Sequence, residues 1–286
     1  MIHSEEVQLK KNTVLHADAI STMKQCKSAS IPLIITDPPY GIGYHSNHYK
    51  DKNPHAPITN DWNFEIGVFL QECNRILVDG GALYLFCRWD ILPLWAPAIQ
   101  GTGLKLKTAI VWVKDNWSAG DLTGSFGSQY EQVLFITKGR HTIRGKRWSN
   151  VWEFPRVPAK QLLHPAQKPV GLLARAICAS SDKGDLVLDP YAGSGSTGEA
   201  CVFTGRSFIL CDIDRKNVSI ARKRLSLPDD IEEEQEQPYY AAYEPEVPSC
   251  EDYGLHPEQI AEVYAQLRSN QEILTQHTLF GEEKAS

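Results

Sequence analysis

The chain has 286 residues, 42% hydrophobic and 22% charged, which is enough apolar content for a packed core and excludes wholesale disorder. No stretch approaches the ~18 uninterrupted apolar residues of a membrane span, and the opening MIHSEEVQLKKNTV has no apolar run of the kind a secretory signal needs. The net charge of −6 is unevenly divided: residues 1–225 carry 27 Lys and Arg against 20 Asp and Glu, and residues 226–286 carry 2 against 15. A mildly basic body can approach a polyanion, and an acidic tail does not help it. The seven cysteines are scattered with no C-x-x-C pair, so reduced thiols, a cytoplasmic location and no metal are expected.

In chain order, short apolar runs of β type alternate with helical stretches. A strand over 13–17 precedes a helix over 19–27, and the run LIIT gives a strand over 33–37. A polar loop over 41–61 leads to a helix over 64–78, a strand over 82–86 and a helix over 89–100. Strands over 107–113 and 131–137 flank the Gly/Ser-rich segment 115–130, with no helix between them, so an antiparallel edge pair is expected. After the basic segment 138–163 come a helix over 170–180, a strand over 186–189, a helix over 196–204, a strand over 207–211 and a helix over 215–225. Runs such as LIIT and LVLD are too continuous for half-exposed strands and read as central parallel strands covered on both faces. Seven strands with helices on both sides predict a doubly wound, mostly parallel α/β sheet. Residues 1–227 form this domain, an acidic, proline-broken linker follows over 228–255, and weakly amphipathic spacing predicts a helix and tail over 256–286.

Two segments carry chemistry. In LVLDPYAGSGSTG, a buried strand ends at Asp189, and Gly193, Gly195 and Gly198 spell G-x-G-x-x-G at the start of a helix. Such glycines let the backbone approach a ligand, and the helix offers free N–H groups. Asp212 ends the next strand, where a carboxylate takes ribose hydroxyls. On these residues alone, a nicotinamide-dependent oxidoreductase stays open. In LIITDPPYG, a second buried strand ends in Asp37, Pro38, Pro39 and Tyr40. The prolines remove two N–H donors and stiffen the backbone, so Asp37 and the Pro38 carbonyl present acceptors in one direction with Tyr40 as a stacking plate. Acceptors beside an aromatic face suit a planar group bearing an amino substituent.

Together these segments resemble the DNA amino-methyltransferases, which use S-adenosylmethionine to methylate adenine N6 or cytosine N4. D-P-P-Y is similar to their catalytic motif, and D-P-Y-A-G-S-G to their cofactor motif, with Tyr191 in place of the usual Phe. HPAQKP over 164–169 resembles the family's H-P-T-Q-K-P, and HADAI over 16–20 its G-D-C-L segment, with Asp18 kept. The likeness spans residues 13–225, in the permuted motif order of the β group.

The resemblance implies roles. Asp37 and the Pro38 carbonyl hold the target amino group, and Tyr40 stacks on a base flipped out of the duplex. Asp18 contacts the cofactor adenine and Asp212 its ribose. Asp189, Gly193 and Gly195 line the methionine end, in one loop with Tyr191 and Ser196, and Lys168 helps close the pocket. Residues 138–163 become the target-recognition insert, with Arg140, Arg144, Lys146, Arg147 and Lys160 as contacts to double-stranded DNA. A motif opening with Asp favours adenine, with cytosine N4 as the alternative, and a non-catalytic DNA-binding adaptor has no use for both intact motifs. The implied location is the nucleoid, and monomer and dimer both stay open. Finally, QHTLF, from Gln276 to Phe280, resembles the short peptides that dock replication proteins on the sliding clamp.

Overall fold

The computed structural model describes residues 9–39, 65–117, 123–164 and 166–228. Tyr40, the linker and tail beyond 228, and the Gln276 to Phe280 segment lie outside the described residues. The strands are β1 (Thr13–His16), β2 (Ile31–Thr36), β3 (Leu77–Cys87), β4 (Lys105–Val113), β5 (Tyr130–Thr137), β6 (Val151–Glu153), β7 (Leu186–Asp189) and β8 (Ser207–Asp212). They form one sheet in the order β1-β8-β7-β2-β3-β5-β4-β6. Among these strands only β5 runs against the rest, being antiparallel to both β3 and β4.

The helices are α1 (Ala19–Gln25), α2 (Ile66–Ile76), α3 (Leu92–Gly101), α4 (Val170–Ser180), α5 (Ser196–Thr204) and α6 (Arg215–Arg224). Strand alternation sends successive side chains to opposite faces, and each face has its own core. Ile34, Leu83, Leu85 and Leu188 pack with Met23, Phe69 and Trp95 of α1, α2 and α3. Leu33, Ile35, Tyr84 and Val187 pack with Leu172, Cys201 and Val218 of α4, α5 and α6. The continuous apolar runs are therefore buried twice over, as a doubly wound sheet requires.

Three expectations change. Among the described residues the sheet has eight strands instead of seven, because β6 pairs in parallel with β4 along Val111 to Val113. It lies inside the basic insert and is held by burial of Trp152 and Phe154, with Trp112 Nε1 donating to the Phe154 carbonyl at 2.8 Å. Consequently β4 and β5 are not the edge; β6 covers it. Helix α2 also stops at Ile76, and β3 starts at Leu77, five residues ahead of the expected start. The backbone is already extended at Leu77, φ −62° and ψ 135°, and Gly80, inside β3, takes the left-handed region at φ 79°.

Candidate active site

The C-terminal ends of the parallel strands define one end of the sheet, called here the upper end. After β7 the chain continues to β8 on one side, whereas β2 continues to β3 on the other, so a crevice opens between β7 and β2 where the winding reverses. Asp189 ends β7, Asp212 ends β8, Asp37 follows β2 and Asp18 follows β1. The topology thus gathers both sequence motifs at one crevice.

The loop from Asp189 to Ser196 is pinned from within. Asp189 is buried, and its carboxylate accepts from the Tyr191 N–H at 3.1 Å and from Thr197 Oγ1 at 2.6 Å. Burial pushes its carboxyl up to about 7, against these hydrogen bonds, and the nearby Asp37 charge adds to the rise. Asp189 therefore shapes the loop and presents little of itself to the crevice. Gly195 caps α5 in the left-handed region at φ 77°, where a β-carbon would lie 2.8 Å from Ala221 Cβ. At Gly198 a β-carbon would lie 2.7 Å from Leu225 and 2.8 Å from Leu210, so this glycine serves close helix packing. Gly193, at φ 50°, lies beside the His164 ring, whose Nδ1 would be 3.7 Å from its β-carbon.

Asp212 accepts from the Gly193 N–H at 2.9 Å, the Asp214 N–H at 2.8 Å and Asn217 Nδ2 at 3.2 Å. It therefore sets the glycine loop as well as facing the crevice. Asp18 caps α1 through the Ser21 N–H at 2.8 Å. Tyr191 packs against Phe69 of α2, ring centroids 6.0 Å apart. The Ser196 hydroxyl accepts from Arg224 at 3.0 Å, which leaves its own O–H as a donor. Arg224 also pairs with Glu199 in a buried ion pair beneath the loop.

Lys168 joins the HPAQKP and D-P-P-Y motifs through an ion pair. Its Nζ lies 2.7 Å from Asp37 Oδ2 and 3.0 Å from Glu131 Oε2, and Lys114 Nζ lies 2.6 Å from Glu131 Oε1. Lys168 thus reaches the catalytic motif itself, with its ammonium 4.7 Å from the centroid of the Phe86 ring. The result is an alternating chain, Asp37, Lys168, Glu131, Lys114, joining the end of β2 to β5 and β4. Burial alone would raise the Glu131 carboxyl, but the two ammonium groups hold it down at about 2. Burial opposes the charge on Lys168, and Asp37 and Glu131 overcome it, so this ammonium loses its proton less readily than an ordinary lysine. One Asp37 oxygen is thereby assigned to Lys168.

The HPAQKP turn that delivers Lys168 is self-supporting. Gln167 is buried, its Oε1 accepts the Leu163 N–H at 2.8 Å, and its own N–H donates to the His164 carbonyl at 3.0 Å. His164 Nδ1 accepts from the Ala166 N–H at 3.2 Å, which leaves the ring proton on Nε2 in the neutral form. Burial holds this imidazole below its usual range even with Asp212, Asp214 and Asp37 nearby.

The basic insert is distributed differently from expectation. Residues 138–144 follow the lower end of β5. There Arg144 donates its N–H to the Ala179 carbonyl at the end of α4 and pairs with Asp182 at 3.2 Å. His141, whose ring contacts the Gly80 carbonyl at 2.7 Å and Ser180 Oγ at 3.1 Å, fixes the segment there. Arg140 and Arg144 are thus separated from the upper end by the eight-residue β5, roughly 25 Å at ~3.4 Å per residue. Lys146 stacks on Trp148, whose other contact is Arg175 of α4 at 4.7 Å, so Lys146 and Arg147 lie on the flank between the two ends. Of the five expected DNA contacts, only Lys160, on the turn Ala159–Gln161 between β6 and the HPAQKP turn, is carried to the upper end. The sequence pattern gives Glu131 and Lys114 no role, since each bounds an apolar strand and looks like an ordinary strand limit, and His164 stands in the HPAQKP motif without a role of its own.

Comparison with known proteins places this geometry. Residues 31–223 match the DNA methylase family, and the chain belongs to that family. It is 31% identical to the DNA adenine methyltransferase YhdJ of Escherichia coli (strain K12), with 75% of this chain and 83% of that one covered. It is 30% identical to the type II methyltransferase M.HpaI of Haemophilus parainfluenzae, over 73% of this chain and 72% of that one. Among solved structures, the M1.HpyAVI–SAM complex shares the fold at a TM-score of 0.60 and 24% identity, covering 75% of this chain and 99% of that one.

Proposed function

We propose that this DNA methylase transfers a methyl group from S-adenosylmethionine to adenine N6 in double-stranded DNA. The observation that carries the reading is the meeting of Asp37 and the glycine loop at one crevice, with Lys168 fixing Asp37 from behind. Support for adenine comes from the D-P-P-Y motif and from the adenine specificity named for YhdJ.

The crevice fits the cofactor on its own chemistry. The Gly193 N–H donates to Asp212 beside the His164 ring, and Asp18 and Asp212 stand at the upper ends of β1 and β8. A carboxylate at the end of β8 suits the ribose hydroxyls of S-adenosylmethionine. When bound there, S-adenosylmethionine supplies a methyl group already activated on sulfur.

The chain's own residues then do three things. Asp37 and the Pro38 carbonyl accept the two amino hydrogens of the adenine. Accepting both draws an amino nitrogen whose lone pair is delocalised into the ring toward tetrahedral geometry, freeing that pair for attack. Lys168 holds Asp37 Oδ2 at 2.7 Å, which keeps the carboxylate from turning. The ion chain through Glu131 and Lys114 holds this arrangement before substrate arrives, which is where electrostatic preorganisation has its effect. Incubating duplex DNA with the chain and S-adenosylmethionine, then identifying the modified nucleoside, tests the assignment.

Docking on the sliding clamp through Leu279 and Phe280, with Gln276 at the pocket rim, extends the reading to a partner on newly replicated DNA. Support for it is the QHTLF sequence beyond an acidic tether. A clamp pull-down with the wild-type chain and with Leu279→Ala/Phe280→Ala checks it; equal capture of both, or of neither, removes it.

A further inference from the structure

With Arg140 and Arg144 at the lower end, the element facing DNA has to be sought at the upper end. There the connection between β4 and β5, described for residues 114–117 and 123–129, carries exposed aromatic groups. Phe126 is 100% exposed, Trp117 is 68% exposed and Tyr130, at the head of β5, is 38% exposed. Trp89, 65% exposed, follows the upper end of the adjacent β3. Scattered exposed apolar residues are ordinary, but a group of them beside an active site marks a binding surface.

The base of this connection is rigid. The Lys114 N–H donates to the Gln129 carbonyl at 2.9 Å, and Gln129 Nε2 returns a bond to the Lys114 carbonyl at 3.0 Å. The Trp117 indole lies across Gly127, where any β-carbon would come within 2.4 Å of the ring. Asp115 Oδ1 accepts the Arg156 N–H at 3.0 Å, tying the connection to the chain that follows β6. Lys114 and Glu131, at the two feet, are members of the ion chain that ends on Asp37. Phe126 is therefore an unsupported aromatic ring on a supported stem, at the end of the sheet that carries Asp37.

We propose that Phe126 inserts into the base stack of the duplex and fills the space left when the target base turns out toward Asp37. The occupant is duplex DNA, because family membership requires the upper end to receive a base and an extruded base leaves a stacking vacancy that a flat apolar ring can fill. Trp117, seated on Gly127, serves as the brace. The proposal rests on the reading of the protein as a methyltransferase of bases in duplex DNA.

The test uses two duplexes bearing a site mapped from DNA that the wild-type full-length chain has methylated. One pairs the target adenine with thymine; the other places an abasic site opposite it, so that no pairing opposes extrusion. Phe126→Ala is expected to lower kcat/KM on the paired duplex by roughly 10- to 100-fold, the range of one lost base–aromatic stack. On the pre-opened duplex it should fall within about twofold of wild type, and Phe126→Trp should retain most activity on both. S-adenosylmethionine affinity and Tm should not move, because Phe126 is fully exposed. Wild-type behaviour of Phe126→Ala on the paired duplex overturns the proposal, as does an equal loss on both duplexes. If the wild-type chain methylates no DNA from which a site can be mapped, the functional reading beneath the proposal is overturned instead.

Discussion

Glu131 is the residue whose replacement most sharply tests the ion chain. Its side chain is 26% exposed and meets Lys168 and Lys114 at 3.0 and 2.6 Å. A carboxyl held at about 2 instead of 4.5 gains about 3 kcal/mol on ionising in the fold relative to the unfolded chain. Glu131→Gln keeps the shape and removes that charge, so it should destabilise the protein by about 2–3 kcal/mol at pH 7, with partial exposure bringing the figure down. The sign with pH follows from a depressed carboxyl. Its contribution is complete above the ordinary value near 4.5 and is lost as pH falls through the folded value near 2. Denaturant unfolding of both proteins at pH 7.5, 6, 4.5 and 3.5 should therefore show a constant gap in the first two and a shrinking gap below. Turnover should fall as well, with little change in the KM for S-adenosylmethionine, because the chain ends on Asp37 and not on the glycine loop. A stability gap that is the same at every pH would refute the argument, since it would show lost packing instead of lost charge pairing.

Other outcomes follow from the same geometry. Asp37→Ala should abolish turnover while S-adenosylmethionine binding by calorimetry stays near wild type. Asp212→Ala should weaken that binding by roughly 1–3 kcal/mol, since it frees the Gly193 N–H as well as removing a carboxylate. Lys160→Gln should flatten the plot of log K for DNA against log salt by about one phosphate contact. Arg144→Gln, paired with Asp182 at the lower end, should leave that slope unchanged in the same titration.

Much of this arrangement was legible in the sequence. The buried runs at 33–36 and 186–189, each closed by an aspartate, fixed two central strands, and the glycine pattern placed a helix start between Gly195 and Ser196. What escaped was side-chain geometry between segments distant in the chain. Nothing in Lys168 as a letter shows that it spans from Asp37 to Glu131, 131 and 37 residues away respectively. Strand β6 was missed because three residues are too short for a period to appear; its partner, not its own pattern, makes it a strand. The basic insert shows the same limit: charge composition reports that a segment is soluble, and only the direction of β5 shows that its first residues emerge at the lower end. Ser196 opens the glycine-loop helix as the pattern suggests, but the bond it accepts from Arg224 of α6 joins segments that no local pattern connects.

The central claim is that the crevice between β7 and β2 delivers a methyl group to the amino nitrogen of adenine in DNA. The most direct measurement incubates unmethylated duplex DNA with the full-length protein and isotope-labelled S-adenosylmethionine. The DNA is then digested to nucleosides and the labelled product identified by mass spectrometry. The account predicts label in N6-methyladenine and none with Asp37→Ala; label confined to N4-methylcytosine, or no labelled nucleoside at all, would contradict it.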